Sequence, residues 1–188
     1  MTAPGGDQKY CYNDIEANCT TYGGLYEWGE AMNYAASINC DPCGGSGVQG
    51  ICPAGYHIPT DLEWSRYEYC IEHNIAPTGA TTLTTFQTTA GWRGTNSPAG
   101  PGAKMKVTSS NTPAWNGTNT SGFSALPAGY RLNGDGSFYP LGSNAYFWSA
   151  TEDSGTNAWY RRLGSGNSQS GRGNNDKALG FSVRCLQN

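Results

Sequence analysis

Aliphatic side chains are scarce in this sequence. Leu, Ile, Val and Phe fill only 23 of its 188 positions, a share at which disorder has to be considered. Charge is scarce as well, at 13% of residues with a net charge of −3, so little self-repulsion is available to keep the chain expanded. There is no block of Lys or Arg, which excludes the electrostatic footprint of a nucleic-acid binder and of an anchor on anionic lipid. No stretch approaches the roughly 18 apolar residues of a membrane-spanning helix, so no direct membrane insertion is expected. Met1 to Lys9 lacks the basic start and apolar run of a secretory signal, as expected of a cytosolic product or of a module cut from something larger.

What the chain does have is aromatic surface, glycine and cysteine. Six Trp, 12 Tyr and five Phe can each bury more area than an aliphatic side chain, so one aromatic-rich core is expected in one domain. The 27 Gly follow no fixed period and therefore serve turns and left-handed backbone. Seven cysteines leave at least one unpaired within the chain. Cys11 and Cys19 are candidates to close a short disulfide loop. Cys40-Asp41-Pro42-Cys43 has half the spacing of a zinc knuckle with Cys52 as a third donor, but neither His57 nor His73 repeats a ligand spacing. Disulfides or inert thiols are therefore favoured over zinc, and no metal or cofactor is assigned.

Along the chain, Leu25, Trp28, Met32, Ala35 and Ala36 recur at helical spacing and predict an amphipathic helix over Gly24 to Ser37. Thr60 followed by Glu63 is a capping-box pattern. It predicts a second helix to about Glu72, with Trp64, Tyr67 and Ile71 inward and Arg66 and Glu68 outward. Asn74 to Thr120 loses periodicity and predicts long loops pinned by Leu83, Phe86, Trp92 and Trp115. Short strands follow at 123–126, 129–132 and 137–139, the last two joined by a turn at Asn133-Gly134-Asp135-Gly136. Longer strands are expected at 146–150, 158–163 and 180–186. Helices first and an antiparallel sheet after make an α+β domain.

Several of these runs resemble one family. They are Cys11-Tyr12-Asn13 with Cys19, Tyr22-Gly23-Gly24-Leu25-Tyr26 with Trp28, and Cys52-Pro53-Ala54-Gly55-Tyr56-His57-Ile58-Pro59-Thr60 with Glu63-Trp64. Tyr146 to Glu152, Ala158 to Arg161 and Gly180 to Cys185 continue the pattern in order. Together they resemble the Fibrobacter succinogenes major paralogous domain. The resemblance implies a C-type-lectin-like fold with two helices, a small antiparallel sheet and long loops, spanning 10–188 after a linker or disordered lead at 1–9. It also implies a surface-exposed, extracellular or virion setting. Members of that fold serve as variable proteins of diversity-generating retroelements, whose C-terminal segment is rewritten at adenines.

Arg161 to Gly180 fits such a segment. Every residue in it except Gln169 and Lys177 can be reached by mutating the adenines of an Asn codon, and it holds no aromatic or β-branched residue between two aromatic-rich strands. An ordinary solvated loop would have the same composition. The candidate ligand-contacting positions are Arg162, Gly164, Ser165, Gly166, Asn167, Gly171, Gly173, Asn174, Asn175, Asp176, Ala178 and Leu179, with Arg161 and Arg172 adding adaptable hydrogen bonding. Trp148, Trp159, Tyr160 and Phe181 are expected to be scaffold.

No nucleophile with a base, no carboxylate pair and no calcium signature stands out. His57 is read as a structural hydrogen-bonding residue and His73 as a helix-end cation. The sequence therefore predicts a non-enzymatic domain binding a macromolecular ligand, protein or surface glycan, on another cell or host. A fixed-partner cell-envelope module is the alternative. An enzyme resembling the formylglycine-generating relatives is a remote third, because their late cysteine pair has only Cys185 here after Cys70.

Overall fold

The computed structural model describes residues 9–74 and 81–188. Of the lead expected at 1–9, residues 1–8 lie outside the described residues, whereas Lys9 already belongs to a strand. The first half of the chain is built from short pieces: β1 (Lys9–Tyr10), α1 (Glu16–Tyr22), β2 (Leu25–Tyr26), α2 (Trp28–Ala31) and β3 (Tyr56–His57). Then come α3 (Asp61–Asn74), α4 (Leu83–Thr88), β4 (Gly91–Arg93) and α5 (Pro101–Met105). The second half is strands: β5 (Tyr130–Arg131), β6 (Phe138–Tyr139), β7 (Asn144–Glu152), β8 (Asn157–Gly164), β9 (Ser170–Asp176) and β10 (Leu186–Gln187). Among the described residues the chain is thus mixed α and β, with five α-helices and several small antiparallel sheets.

The central sheet is antiparallel in the order β4-β9-β8-β7. A hydrophobic cluster packs on each face. One joins Trp64 and Ile71 of α3 to Phe147, Leu163 and Trp115. The other joins Trp28, Met32 and Ile58 to Trp148, Ala158, Leu179 and Phe181. Indole N–H groups anchor these rings: Trp28 Nε1 donates to Ser149 O and Trp148 Nε1 to Tyr26 O, both at 2.8 Å. Disulfides Cys11–Cys19, Cys40–Cys43 and Cys52–Cys185 add covalent ties, and Cys70 is the free thiol among the described residues.

The capping box forms as the sequence predicts. Thr60 Oγ1 accepts from Glu63 N at 3.1 Å, and Glu63 Oε2 accepts from Thr60 N at 3.0 Å. The helix predicted over 24–37 does not form. Leu25 and Tyr26 pair with β1, α2 spans four residues, and Asn33 and Tyr34 take positive φ of 49° and 57°. The predicted loop region carries α4, β4 and α5, too short to leave a period. Thr82 caps α4 by accepting from Thr85 N, and Pro101 opens α5. The strand expected at 180–186 is broken up: Gly180, Phe181 and Ser182 each bridge a different partner, Arg131, Tyr26 and Phe147, and only Leu186–Gln187 forms a strand. Residues 123–126 likewise contribute a single bridge, Ala125 to Lys106.

The largest correction concerns Glu68. It is fully buried rather than outward, in a charged seam between α3 and the sheet. Arg93 Nη2 donates to both Glu68 oxygens at 2.9 and 2.8 Å, Ser170 Oγ donates at 2.8 Å, and Arg161 Nε lies 3.1 Å away. Two turns of helix before it, Asp61 receives Arg161 Nη1 at 2.7 Å and a two-pronged contact from Arg172 at 2.8–2.9 Å. Burial pushes the Asp61 carboxyl up, but Arg161 and Arg172 together outweigh it and hold the group below its ordinary value.

Two outcomes follow for the seam. Replacing Glu68→Gln leaves the buried Arg93 guanidinium without its carboxylate and Arg161 with Asp61 alone, and should cost about 3–5 kcal/mol, lowering Tm by roughly 10 °C in a thermal melt, whereas Arg66→Ala, removing the exposed partner of Asp41, should cost under about 1 kcal/mol. Because Asp61 is depressed in the fold, its stabilisation is present above the unfolded carboxylate range near about pH 4 and is lost as pH falls through the lower folded value. Asp61→Asn should therefore lower stability at neutral pH and flatten its decline in acid, which denaturant melts across pH 2–6 would read.

Candidate ligand-binding face

Arg161 to Gly180 is not a loop. It supplies the end of β8, the turn at 165–169 and the whole of β9, which lies in the interior of the sheet. Strand alternation divides it into two sets of side chains. Arg161, Leu163, Ser170 and Arg172 face α3 and are buried. Arg161 and Arg172, expected to offer adaptable hydrogen bonds, are committed to the seam.

The opposite set lies on the other face, half-buried at Arg162 and Gly173. Arg162 lies with its guanidinium 4.3 Å from the centre of the Trp92 ring. Trp92, Tyr160 and Arg162 line a shallow pocket of about 250 Å3 over Gly91 and Gly171. Tyr146 continues the surface, 5.8 Å from Tyr160, and Tyr130 and Tyr139 stack beyond it at 4.5 Å. Burial first, with Arg162 pulling the other way, leaves the Tyr146 and Tyr160 hydroxyls above their ordinary range, so both remain donors at neutral pH.

The glycines of the segment form the floor of this face. A Cβ added at Gly173 would meet the Tyr160 hydroxyl at 2.8 Å, and one at Gly171 would meet Trp92 and Arg162 at 3.3 Å. At Gly164 it would meet Asn144 Oδ1 at 3.0 Å and the Trp92 ring at 3.3 Å. The missing side chains are what let Trp92, Tyr160 and Arg162 lie low across the strands. At Gly173 the obstacle is the far end of a side chain, so a larger residue there rearranges the face rather than the core.

The remaining predicted positions separate by burial. Gly166, Asn174, Asn175 and Asp176 are exposed, and Asn167, Gly173 and Ala178 are half-buried. Ser165 is exposed but tied down: its hydroxyl accepts from Trp115 Nε1 at 2.7 Å. Asn167 gives its carbonyl to the buried Lys106 ammonium at 2.9 Å, and Gly164 does so at 2.8 Å. Gly164 and Gly171 are buried beneath the face rather than on it, and Leu179 is a correction: at 4% exposure it belongs to the core with Phe181 rather than to the surface. Gln169 and Lys177 both have structural duties, Gln169 Nε2 donating to Gly94 O at 2.8 Å and Lys177 Nζ to Glu152 at 2.6 Å. Asp176, Lys177 and Ala178 border a second, more open groove of about 430 Å3 with Trp28 and Thr156.

Trp148 and Phe181 are buried scaffold as expected. Trp159 is half-buried under the Arg172 guanidinium, 3.6 Å from its ring centre. Tyr160 is both, packing on Phe181 and lining the pocket. Trp92, Tyr146 and Tyr130 were not among the predicted contacts. The parity of β7 and β8 could have found Tyr146, since it shares the face of Tyr160 and Arg162, but Trp92 reaches the face by pairing with Gly171, and Tyr130 through the bridge of its neighbour Arg131 to Gly180, both remote in sequence. Asn133 to Gly136 is the turn between β5 and β6, with Asp135 accepting from Ser137 N. His73 Nε2 contacts Thr81 O at 2.7 Å at the end of α3.

Residues 3–187 match the model of the Fibrobacter succinogenes major domain. No curated protein and no solved structure matches the chain.

Substitutions in the segment Arg161 to Gly180 should sort by burial in thermal melts. Asn175→Tyr should change stability by no more than about 0.5 kcal/mol, whereas Leu179→Ala should cost about 2–5 kcal/mol.

Proposed function

The chain belongs to the Fibrobacter succinogenes major domain family, and on that premise we propose that it is a non-enzymatic ligand-binding module of C-type-lectin-like architecture whose contact surface is the outer face of the central sheet. The observation that carries this reading is the juxtaposition of Trp92, Tyr146, Tyr160 and Arg162 over a glycine floor, bordered by Ser, Asn and Gly. That mixture of rigid amphipathic rings and small polar groups is how antibody paratopes combine contact area with adaptable hydrogen bonding. The ligand is a macromolecule, a protein or a surface glycan of another cell or host, since the face is broad and shallow rather than an enclosed cavity. Three disulfides among the described residues favour a cell-surface, extracellular or virion setting.

The retroelement role is part of the proposal. The fold separates Arg162, Gly166, Gly173, Asn174, Asn175 and Asp176, which hold no buried side chain, from the buried Arg161, Ser170 and Arg172. A variable segment needs such a division, because changes confined to the first set leave the core intact. The fixed-partner alternative draws support from the hydrogen bonds that tie down Ser165 and Asn167.

Two measurements test this. Arrays of bacterial glycans and of surface-protein fragments, probed with the wild-type domain, should yield a ligand whose affinity falls at least about 30-fold in Arg162→Ala or Trp92→Ala while Tm is kept. Retained affinity in both variants would move the site elsewhere. Across gene copies, substitutions should cluster on the outward set and spare Arg161, Ser170, Arg172 and Leu179; even scatter over all loops favours the fixed partner.

A further inference from the structure

A second cluster of chemistry-bearing groups lies away from the sheet face, at the start of α3. His57 is 1% exposed and its Nε2 sits 3.1 Å from both oxygens of Glu63, itself 6% exposed. A carboxylate oxygen accepts, so the hydrogen between the two groups is carried by His57 Nε2 and donated to Glu63. The ligand atoms of Cys43, His57 and Glu63 all lie within 4.8 Å of one another, and Cys43 is buried and bonded to Cys40.

We propose that this corner is a redox-gated zinc site, closed as the Cys40–Cys43 disulfide and opened by reduction into a Cys40, Cys43, His57, Glu63 ligand set. An external dithiol delivers two electrons, becomes a disulfide itself and leaves two thiols. Zinc then replaces both thiol protons and the proton between His57 and Glu63, all three passing to solvent. Oxidation reverses the sequence and expels the ion.

The geometry suits a tetrahedral ion. Bonds of about 2.0–2.1 Å to nitrogen and oxygen set those two ligands roughly 3.3 Å apart, close to the 3.1 Å between His57 Nε2 and Glu63. Two thiolates, one imidazole and one carboxylate form a soft, mixed set that selects zinc over calcium or magnesium.

The groups behind the ligands are already placed. His57 Nδ1 contacts Asn188 Oδ1 at 2.6 Å, so Nε2 is the nitrogen turned toward Glu63. Backbone N–H groups of Cys43 and Thr60 donate to Glu63 at 2.7 and 3.0 Å, and Thr60 Oγ1 donates to Cys40 O at 2.6 Å. Gly47 lies against the imidazole so closely that a Cβ there would stand 2.4 Å from its Cγ, which fixes the ring plane. Cys40, unlike Cys43, is only half-buried and offers a reductant its sulfur.

The test uses Cys40→Ser, purified in air so that Cys11–Cys19 and Cys52–Cys185 stay closed. Titrated with Co2+, this variant should take up one equivalent with tetrahedral absorption and a thiolate charge-transfer band, and Zn2+ should displace it. Oxidised wild type should show neither band. Adding His57→Gln should weaken uptake at least about 100-fold, whereas Cys11→Ser with Cys19→Ser should leave it unchanged, separating this site from the Cys11–Glu16–Cys19 cluster. Should Cys40→Ser not fold, dithiol-reduced wild type carrying the Cys11 and Cys19 replacements reads the same bands. The proposal fails if no sulfur-ligated metal appears in either protein, if His57→Gln binds as well, or if oxidised wild type binds equally.

Discussion

The charged seam between α3 and the central sheet is the constraint on which the rest depends. Asp61 and Glu68 of the helix meet Arg93, Arg161 and Arg172 from three neighbouring strands, with almost no exposure to water. Desolvating such groups is expensive, and well-packed apolar residues are often as stabilising. The seam's contribution is better understood as register. A slip of β9 by one residue would place Gly171 opposite Asp61 and turn Arg172 to the outside, leaving buried carboxylates without partners. That penalty specifies the pairing of a strand, SGRGNND, whose own sequence has no apolar alternation to specify it.

Because polar anchors on one side fix β9, its other side is released from packing. Ser170 and Arg172 hold the strand while Gly171, Gly173 and Asn175 leave the outer surface to Trp92, Tyr160 and Arg162. The same division continues into the 165–169 turn. There Lys106 holds two carbonyls from beneath, and Ala103 N donates to Ser168 O at 3.1 Å. Burial draws Lys106 down to about 8, so the ammonium is largely charged at neutral pH and the two carbonyls receive a charge-assisted donor. The outward side of the segment can then change without loosening what holds it.

The scarcity of aliphatic residues is met in two ways. Aromatic rings fill both clusters and contact edge to face, as in Trp64 with Phe123 and Phe147 with Phe123. Disulfides add to the packing, Cys52–Cys185 tying together positions 133 residues apart beside the short pairing of β3 with β10.

The parts whose signal is local were legible along the chain. The capping box at Thr60 and Glu63, the hairpin at Asn133–Gly136, the paired strands β7 and β8, the Cys11–Cys19 loop and the family all rest on neighbouring residues whose chemistry dictates one arrangement. The sequence also marked Arg161 to Gly180 as unlike the rest, though a lack of apolar residues there looked like a lack of structure. Which residues of that segment are buried depends on the packed fold, because Arg161 and Arg172 differ from Arg162 in nothing but the carboxylates that Asp61 and Glu68 bring from a helix about 100 residues earlier. For the same reason nothing near Glu68 in the sequence signals its burial, and nothing near Trp92 its place beside Gly171 on the sheet. Burial of a charge, and the face a ring presents, depend on partners that no local pattern encodes.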